Sequence, residues 1–347
     1  MIRTAIHAKS LLRSTALILA ISLNGCGGGG NDGNGTTVGS NTPATTPVSA
    51  PASNPAGAGG TIPPSSDPSS AVNPANPGGL ANTPPPSAFT GKSAKRGIAY
   101  DLANPLDLAV LAPGVSWWYN WSLQPNAQVP GDYHAQYQMD FYPMLWNGNY
   151  DAVKVEGFLR QNPQIKYLLV MNEPNQIDQS NLTPQQAANL WPGFEAIAVD
   201  TGVKIVGPAI SWGNMPGYSD PVVWLDAFYA AYRGANGNRD PQIDYLAFHW
   251  YDYGLAAQLD RLAKYGKPFW ITEFANWHAQ IDGAQIDSLA KQEAQMTEMV
   301  AICEARTDVF RYAWFTGRWN NDSHFTSLLG ASGQLTDLGK LYLTLPF

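Results

Sequence analysis

The sequence predicts a (β/α)8 barrel over residues 94–347, preceded by a signal peptide and a disordered linker. Three observations predict it. Eight short, almost continuously apolar runs recur after Lys95, the pattern of strands buried on both faces of a parallel sheet. Amphipathic helical segments lie between several of them, and eight such alternations over about 250 residues is the arithmetic of a closed barrel. An open doubly wound sheet would carry a glycine-rich phosphate turn after its first strand, whereas this chain continues "DLANPLD".

Ahead of the barrel, Arg3, Lys9 and Arg13 precede the apolar stretch "STALILAISL" and then "NGC". A basic start, a short apolar core and a small residue before a cut describe a secretory signal over residues 1–25. The core is roughly half the ~20 residues a spanning helix needs, so no retained transmembrane anchor is expected. Leu23-Asn24-Gly25-Cys26 resembles a bacterial lipobox, which makes Cys26 the expected lipid attachment point, with ordinary secretion as the alternative. Anchoring would hold the protein at the cell envelope, and Gly27, in place of an aspartate, is compatible with the outer membrane. Residues 26–93 are nearly pure Gly, Pro, Ser, Thr, Asn and Ala. Such a segment lacks the apolar surface to offset its ordering entropy, and as a coil it would reach about 45 Å.

The eight runs are "RGIAYD", "VSWWYNW", "MDFYPMLW", "KYLLVMNE", "VKIVGP", "DYLAFHWYD", "KPFWITEF" and "VFRYAWFT". The connection after the second, "SLQPNAQVPGDYHAQYQ", reads as loop. "YDAVKVEGFLRQNP" follows the third as a helix. Thr183-Pro184 opens the next, a cap followed by proline at the first helical position, and Gly202 is placed to end it. Asp220-Pro221 opens "DPVVWLDAFYAAYRG" in the same way, and "LAAQLDRLAKYG" and "SLAKQEAQMTEMVAICEAR" complete the helical set. Cys303 lies in the last of these and is expected to be packed, not reactive. With Cys26 set aside it is the remaining cysteine, so no internal disulfide is expected.

In such barrels, functional groups sit at the C-terminal ends of the strands. Those ends carry Asp101, Asn120-Trp121, Trp146, Asn172-Glu173, Pro208, His249-Trp250-Tyr251, Glu273 and Trp314. Glu173 ends the fourth run and Glu273 the seventh, each on rigid backbone after an apolar stretch. Two carboxylates across one barrel mouth suit glycoside hydrolysis, one protonating the leaving oxygen and one attacking the anomeric carbon. The chemistry also needs a hydrogen-bond donor to the sugar 2-hydroxyl, and Asn172, beside Glu173, is suited to that task. His249, Tyr251, Trp314, Trp146 and Asn120 are candidate sugar contacts. His249 is equally readable as a satisfied core histidine, and Trp146 and Trp314 as plugs of the barrel.

The order of motifs resembles glycoside hydrolase family 128, the group related to the "glycosyl hydrolase catalytic core" proteins. The pieces that carry the resemblance are "SWWYNW", "FYPMLW", "VMNEPN", "VGPA", "FHWYD", "FWITEFA" and "FRYAWF", spanning Arg96 to Trp314. The doubled tryptophan in "SWWYNW" departs from the pattern, where a second tyrosine is common. The resemblance implies a retaining enzyme acting on β-1,3-glucan, in many members endo-acting. It implies that Glu173 is the acid/base and Glu273 the nucleophile.

Composition is consistent with a neutral, hydroxyl-rich partner. The formal charge is −7 with no basic cluster beyond the signal region, which argues against nucleic acid. All 12 tryptophans follow residue 116. Among 5 histidines none shows paired ligand spacing, so neither metal nor cofactor is expected, and a monomer is. Two alternatives remain: a non-catalytic β-glucan-binding surface lipoprotein, and a related glycosidase acting on β-1,4-linked polysaccharide.

Overall fold

A computed structural model of the chain describes residues 91–347. The expected signal peptide, Cys26 and nearly all of the expected linker lie outside the described residues.

Nine strands form one parallel sheet in the order β3-β2-β1-β9-β8-β7-β6-β5-β4. They are β1 (Arg96–Ala99), β2 (Trp117–Tyr119), β3 (Asp140–Phe141), β4 (Met144–Leu145), β5 (Tyr167–Val170), β6 (Lys204–Ile210), β7 (Tyr245–Trp250), β8 (Phe269–Phe274) and β9 (Val309–Trp314). The eight apolar runs all fall on them. The third run supplies two strands, β3 and β4, which are the two edges of the sheet. Tyr142 and Pro143 join those edges. The Tyr142 N–H donates to Trp118 O on one side, and the Pro143 carbonyl accepts from Leu169 N on the other. The sheet thus curls into an α/β barrel, with this thin stave closing it. Pro143 has no N–H to give toward β5, which accounts for the break.

The helices are α1 (Pro105–Leu111), α2 (Tyr133–Tyr137), α3 (Ala152–Gln161), α4 (Pro184–Thr201), α5 (Pro221–Ala235), α6 (Leu255–Leu262), α7 (Leu289–Ala305) and α8 (Asp337–Thr344). Thr183 caps α4 in a reciprocal box with Gln186, and Gly202 ends it in the left-handed conformation. Asp220 caps α5 through Val222 N. The connection read as loop contains the five-residue α2, too short to show a hydrophobic period.

Burial divides the apolar residues into two layers. Inside the barrel, large rings such as Trp117, Tyr142 and Trp270 alternate with Ala99, Ala209, Ala247 and Ala313. Ring centroids of Trp117 and Trp270 are 5.0 Å apart. Gly97 admits the Trp117 indole, because a Cβ there would sit 2.3 Å from it. The second layer, between sheet and helices, holds Ile98, Trp118, Leu168, Phe248 and Ile271 among others. Cys303 is fully buried in α7, as expected, and burial pushes its thiol pKa up.

Candidate active site

The end of β5 is built to turn one side chain. Met171 (φ 58°) and Glu173 (φ 43°) both adopt the left-handed region. Side-chain-bearing residues occupy that region at a cost of about 1–3 kcal/mol and only when their surroundings fix them. Here Asn172 N donates to Trp146 O (2.8 Å), Glu173 N to Ala209 O (2.8 Å) and Ala209 N to Met171 O (2.9 Å). Gly207 lets β6 approach closely enough for this, since a Cβ there would lie 2.5 Å from Val170 O.

The end of β8 is built by a bulge. Ile271 pairs with Phe248 but Glu273 pairs with His249, so one extra residue lies on β8. Thr272 and Glu273 therefore both reach His249. The Thr272 hydroxyl lies 2.9 Å from His249 Nε2.

These two ends bring the carboxylates together. Ligand atoms of Glu173, His249 and Glu273 all lie within 4.8 Å of one another, and all three residues are buried. His249 Nδ1 is 3.0 Å from Glu173 Oε1 and 3.4 Å from Glu273 Oε2. Facing two carboxylate oxygens, Nδ1 carries the proton. Burial disfavours a charged imidazole, but the charge of Glu273 and the hydrogen bond and charge of Glu173 outweigh it, so the His249 pKa is raised.

The two carboxylates differ in their donors. Glu273 Oε1 accepts from Tyr119 Oη (2.6 Å) and Trp121 Nε1 (2.8 Å), and its Oε2 accepts from Tyr251 Oη. Burial first, then the charge of Glu273, pushes the pKa of both tyrosines well up, so they remain donors. Glu173 Oε2 accepts from Gln176 Nε2 (3.0 Å). Two carboxylates and an imidazole this close would have the number of ligands for a cation. Yet all four carboxylate oxygens already face protein donors, three of them hydroxyl or indole groups on one carboxylate. These donors fix the orientation of Glu273.

The other residues singled out from sequence divide by the face they occupy. Asn172 lies beside Glu173, with Nδ2 donating to Gln179 Oε1 (3.0 Å) and a buried Oδ1 that has no protein partner. Tyr251 stacks on Trp277 with centroids 4.1 Å apart. Trp146 packs half-buried on the barrel interior. Asn120 shapes its own loop, donating to Gln124 O (3.0 Å) and accepting from Ser122 N (3.2 Å). Trp314 is not at the mouth. It is fully buried on the helix side, donates to Thr326 O (2.8 Å) and packs edge-on to Phe274. Its successor Phe315 turns inward instead, against Trp121, Tyr251 and Trp277.

Tyr119, Gln176 and Phe315 were not singled out from sequence and Trp121 was named only as a strand end, yet Tyr119, Trp121 and Gln176 contact the carboxylates and Phe315 packs against Trp121 and Tyr251. A signal for two of them was present: side chains alternate along a strand, so Trp117, Tyr119 and Trp121 share the inner face and Asn120 does not.

The profile of the family described as "Glycosyl hydrolase catalytic core" matches residues 97–342. A solved endo-beta-1,3-glucanase of family GH128, subgroup II, from Pseudomonas viridiflava is 62% identical with a TM-score of 0.73. The match covers 74% of this chain and 100% of that one. A second subgroup II endo-beta-1,3-glucanase, from Sorangium cellulosum, is 34% identical with a TM-score of 0.62, covering 73% and 98%. Alkali-sensitive linkage protein 1 of Schizosaccharomyces pombe is 28% identical over 272 residues, 73% of this chain and 45% of that protein. The chain therefore spans about half the length of the curated relative it matches. A parallel α/β barrel with paired carboxylates at the ends of its strands defines the class, a glycoside hydrolase. The chain belongs to the glycosyl hydrolase catalytic core family and, within it, to glycoside hydrolase family 128.

Proposed function

We propose that the protein cleaves β-1,3-glucan of the laminarin type, endo-acting and with retention of anomeric configuration. Glu173 is the general acid/base and Glu273 the nucleophile. The linkage and mode of attack rest on the kinship with two endo-beta-1,3-glucanases at 62% and 34% identity.

The observation that carries the mechanism is the closeness of the two carboxylates, with oxygens within 4.8 Å. Retaining enzymes keep their carboxyl groups about 5–5.5 Å apart, whereas inverting enzymes need about 6.5–9.5 Å to seat a water between them. In the first step a Glu273 oxygen forms a bond to the anomeric carbon. The glycosidic C–O bond breaks, and the departing oxygen takes a proton from Glu173. In the second step Glu173 removes a proton from water, whose oxygen displaces Glu273. Tyr119, Trp121 and Tyr251 hold Glu273 as an oriented anion. Asn172 gives one of its two amide N–H groups to Gln179 and keeps the second, with its unpartnered Oδ1, for the sugar 2-hydroxyl.

Proton NMR of laminarin cleavage tests this directly: the first products carry the β-anomer, and α-anomer appearing first removes the mechanism. Glu173→Gln and Glu273→Gln each lower turnover by about a thousandfold or more without unfolding the barrel. Binding of laminarin without reducing-end release by the unmodified protein would instead indicate a lectin. We also propose that Cys26 is lipidated after removal of residues 1–25, tethering the domain at the cell envelope. Cys26→Ser releasing the protein from the membrane fraction is the expected outcome.

A further inference from the structure

We infer that His278 is a positioning residue for the nucleophile, acting as a pH-dependent clip outside the carboxylate pair. As an imidazolium bridging Asp252 and Asp282, it fastens the β8–α7 connection to the β7–α6 connection and so keeps Trp277 against Tyr251. The inference rests on the glucanase reading above, in which Glu273 attacks the sugar.

His278 Nδ1 is 2.9 Å from Asp252 Oδ1, and its Nε2 is 3.1 Å from Asp282 Oδ2. A neutral imidazole has one N–H and could serve only one of these carboxylates, leaving a lone pair turned toward the other. The imidazolium serves both, and charge-assisted hydrogen bonds are roughly twice as strong as neutral ones. Burial opposes the charge, but the hydrogen bonds and charges of Asp282 and Asp252 outweigh it, so the His278 pKa is raised. The neighbouring charges on α7 are engaged elsewhere. Lys291 is held by Asp287 (3.1 Å) and the Gln285 carbonyl (2.9 Å), and Glu298 accepts from Gln295 (2.9 Å). Tyr253 meets the His278 ring edge-on at 5.3 Å and donates to Ala284 O (2.6 Å).

The clip reaches the site through the residue before it. Trp277 N donates to Tyr251 O (2.8 Å), and the Trp277 ring stacks on Tyr251 with centroids 4.1 Å apart. His324 also stacks on Trp277, at 5.3 Å, and burial lowers its pKa, so it is neutral where His278 is charged. On the helix side, fully buried Gln292 donates to Asn276 O (2.8 Å) and His324 O (2.7 Å), and Asn276 Oδ1 accepts from His278 N (2.9 Å). Gln292 thus fixes the start of the connection to α7, while His278 fixes it to its neighbour. Tyr251, held in this way, donates to Glu273 Oε2. A misplacement of about 1 Å at a reacting group can cost about a hundredfold in rate, and a loosened clip passes on part of that. The clip is complete below about pH 6.5 and is lost as pH rises through the raised pKa of His278.

The test measures kcat on laminarin for the full chain and two variants, His278→Gln and Asp252→Asn, from about pH 5.5 to about pH 9. At the acid end His278→Gln is expected to lower kcat about tenfold, with KM within about twofold of wild type. The ratio of wild type to variant then narrows to within about twofold at the alkaline end, where wild type has lost its own clip. Taking the ratio cancels the titration of Glu173 and His249, which both proteins share. Asp252→Asn follows the same course with a smaller loss, and its 45% exposed side chain lets it carry the test should His278→Gln fail to fold. An NMR titration of the His278 ring in wild type is expected to match the midpoint of the narrowing. A ratio that does not change with pH, or an unchanged kcat in both variants, overturns the assignment and leaves the glucanase reading standing. No cleavage of laminarin by the unmodified protein would overturn that reading, and this assignment with it.

Discussion

Tyr251 links the two halves of the site: its hydroxyl donates to Glu273 and its ring stacks on Trp277. Removing a hydrogen bond to a charged group costs about 1.5–3 kcal/mol. Tyr251→Phe keeps the ring and is expected to lower kcat on laminarin roughly ten- to a hundredfold while KM changes little. A shift confined to KM would show that the hydroxyl serves binding alone. His249 makes a second prediction, in pH. Its native pKa lies above the ordinary 6.5, because Glu273 and Glu173 together overcome burial. The stabilisation this provides is fully present below pH 6.5 and is lost as pH rises through the higher native value. Unfolding free energy of wild type minus that of His249→Gln is expected to fall across that window, and a flat difference would contradict it. At this scale the sequence was half legible. Both glutamates announced themselves as charges after apolar runs. Tyr119 and Trp121 did not, because a donor to a buried carboxylate and a core aromatic are the same residue types. Trp314 was read at the mouth, where Phe315 stands, because only the face, not the residue type, separates them.

The β5–α4 and β6–α5 connections work as one element, and Asn175 is the reason. Its side chain spans to the backbone of Ser211, Tyr218 and Ser219. Asn175→Ala would leave the carbonyl of buried Ser211 without its donor, whereas that of Ser219 keeps Gly213 N. A stability loss of about 1–3 kcal/mol by denaturant unfolding is expected. With it, the loop bearing Trp212 gains faster amide exchange. An unchanged exchange pattern would mean that the loop is held by its own turns. This role was not readable beforehand. A buried amide that ties loop backbones together looks, in sequence, like any polar residue after a strand. Helix starts were readable because caps act locally, as Thr183 and Asp220 do.

At the scale of the whole molecule, the barrel could be read because parallel strands sandwiched between interior and helices must be apolar on both faces. What could not be read was where the cylinder is thinnest. β3 and β4 contribute two residues each, joined by Tyr142 and a proline that withholds one hydrogen bond. Residues 140–145 are therefore expected to exchange their amides fastest among the strands, well ahead of β7 and β8. Uniform protection around the barrel in a hydrogen-exchange time course would contradict this.

That same stave carries Trp146 at its outer end and supplies the carbonyl that fixes Asn172. A hoop with a single weak weld yields there first. Loosening at residues 142–146 would release the bonds from Met171 N and Asn172 N that hold the Glu173 turn, so of the two carboxylates it is Glu173 whose aim depends on this segment.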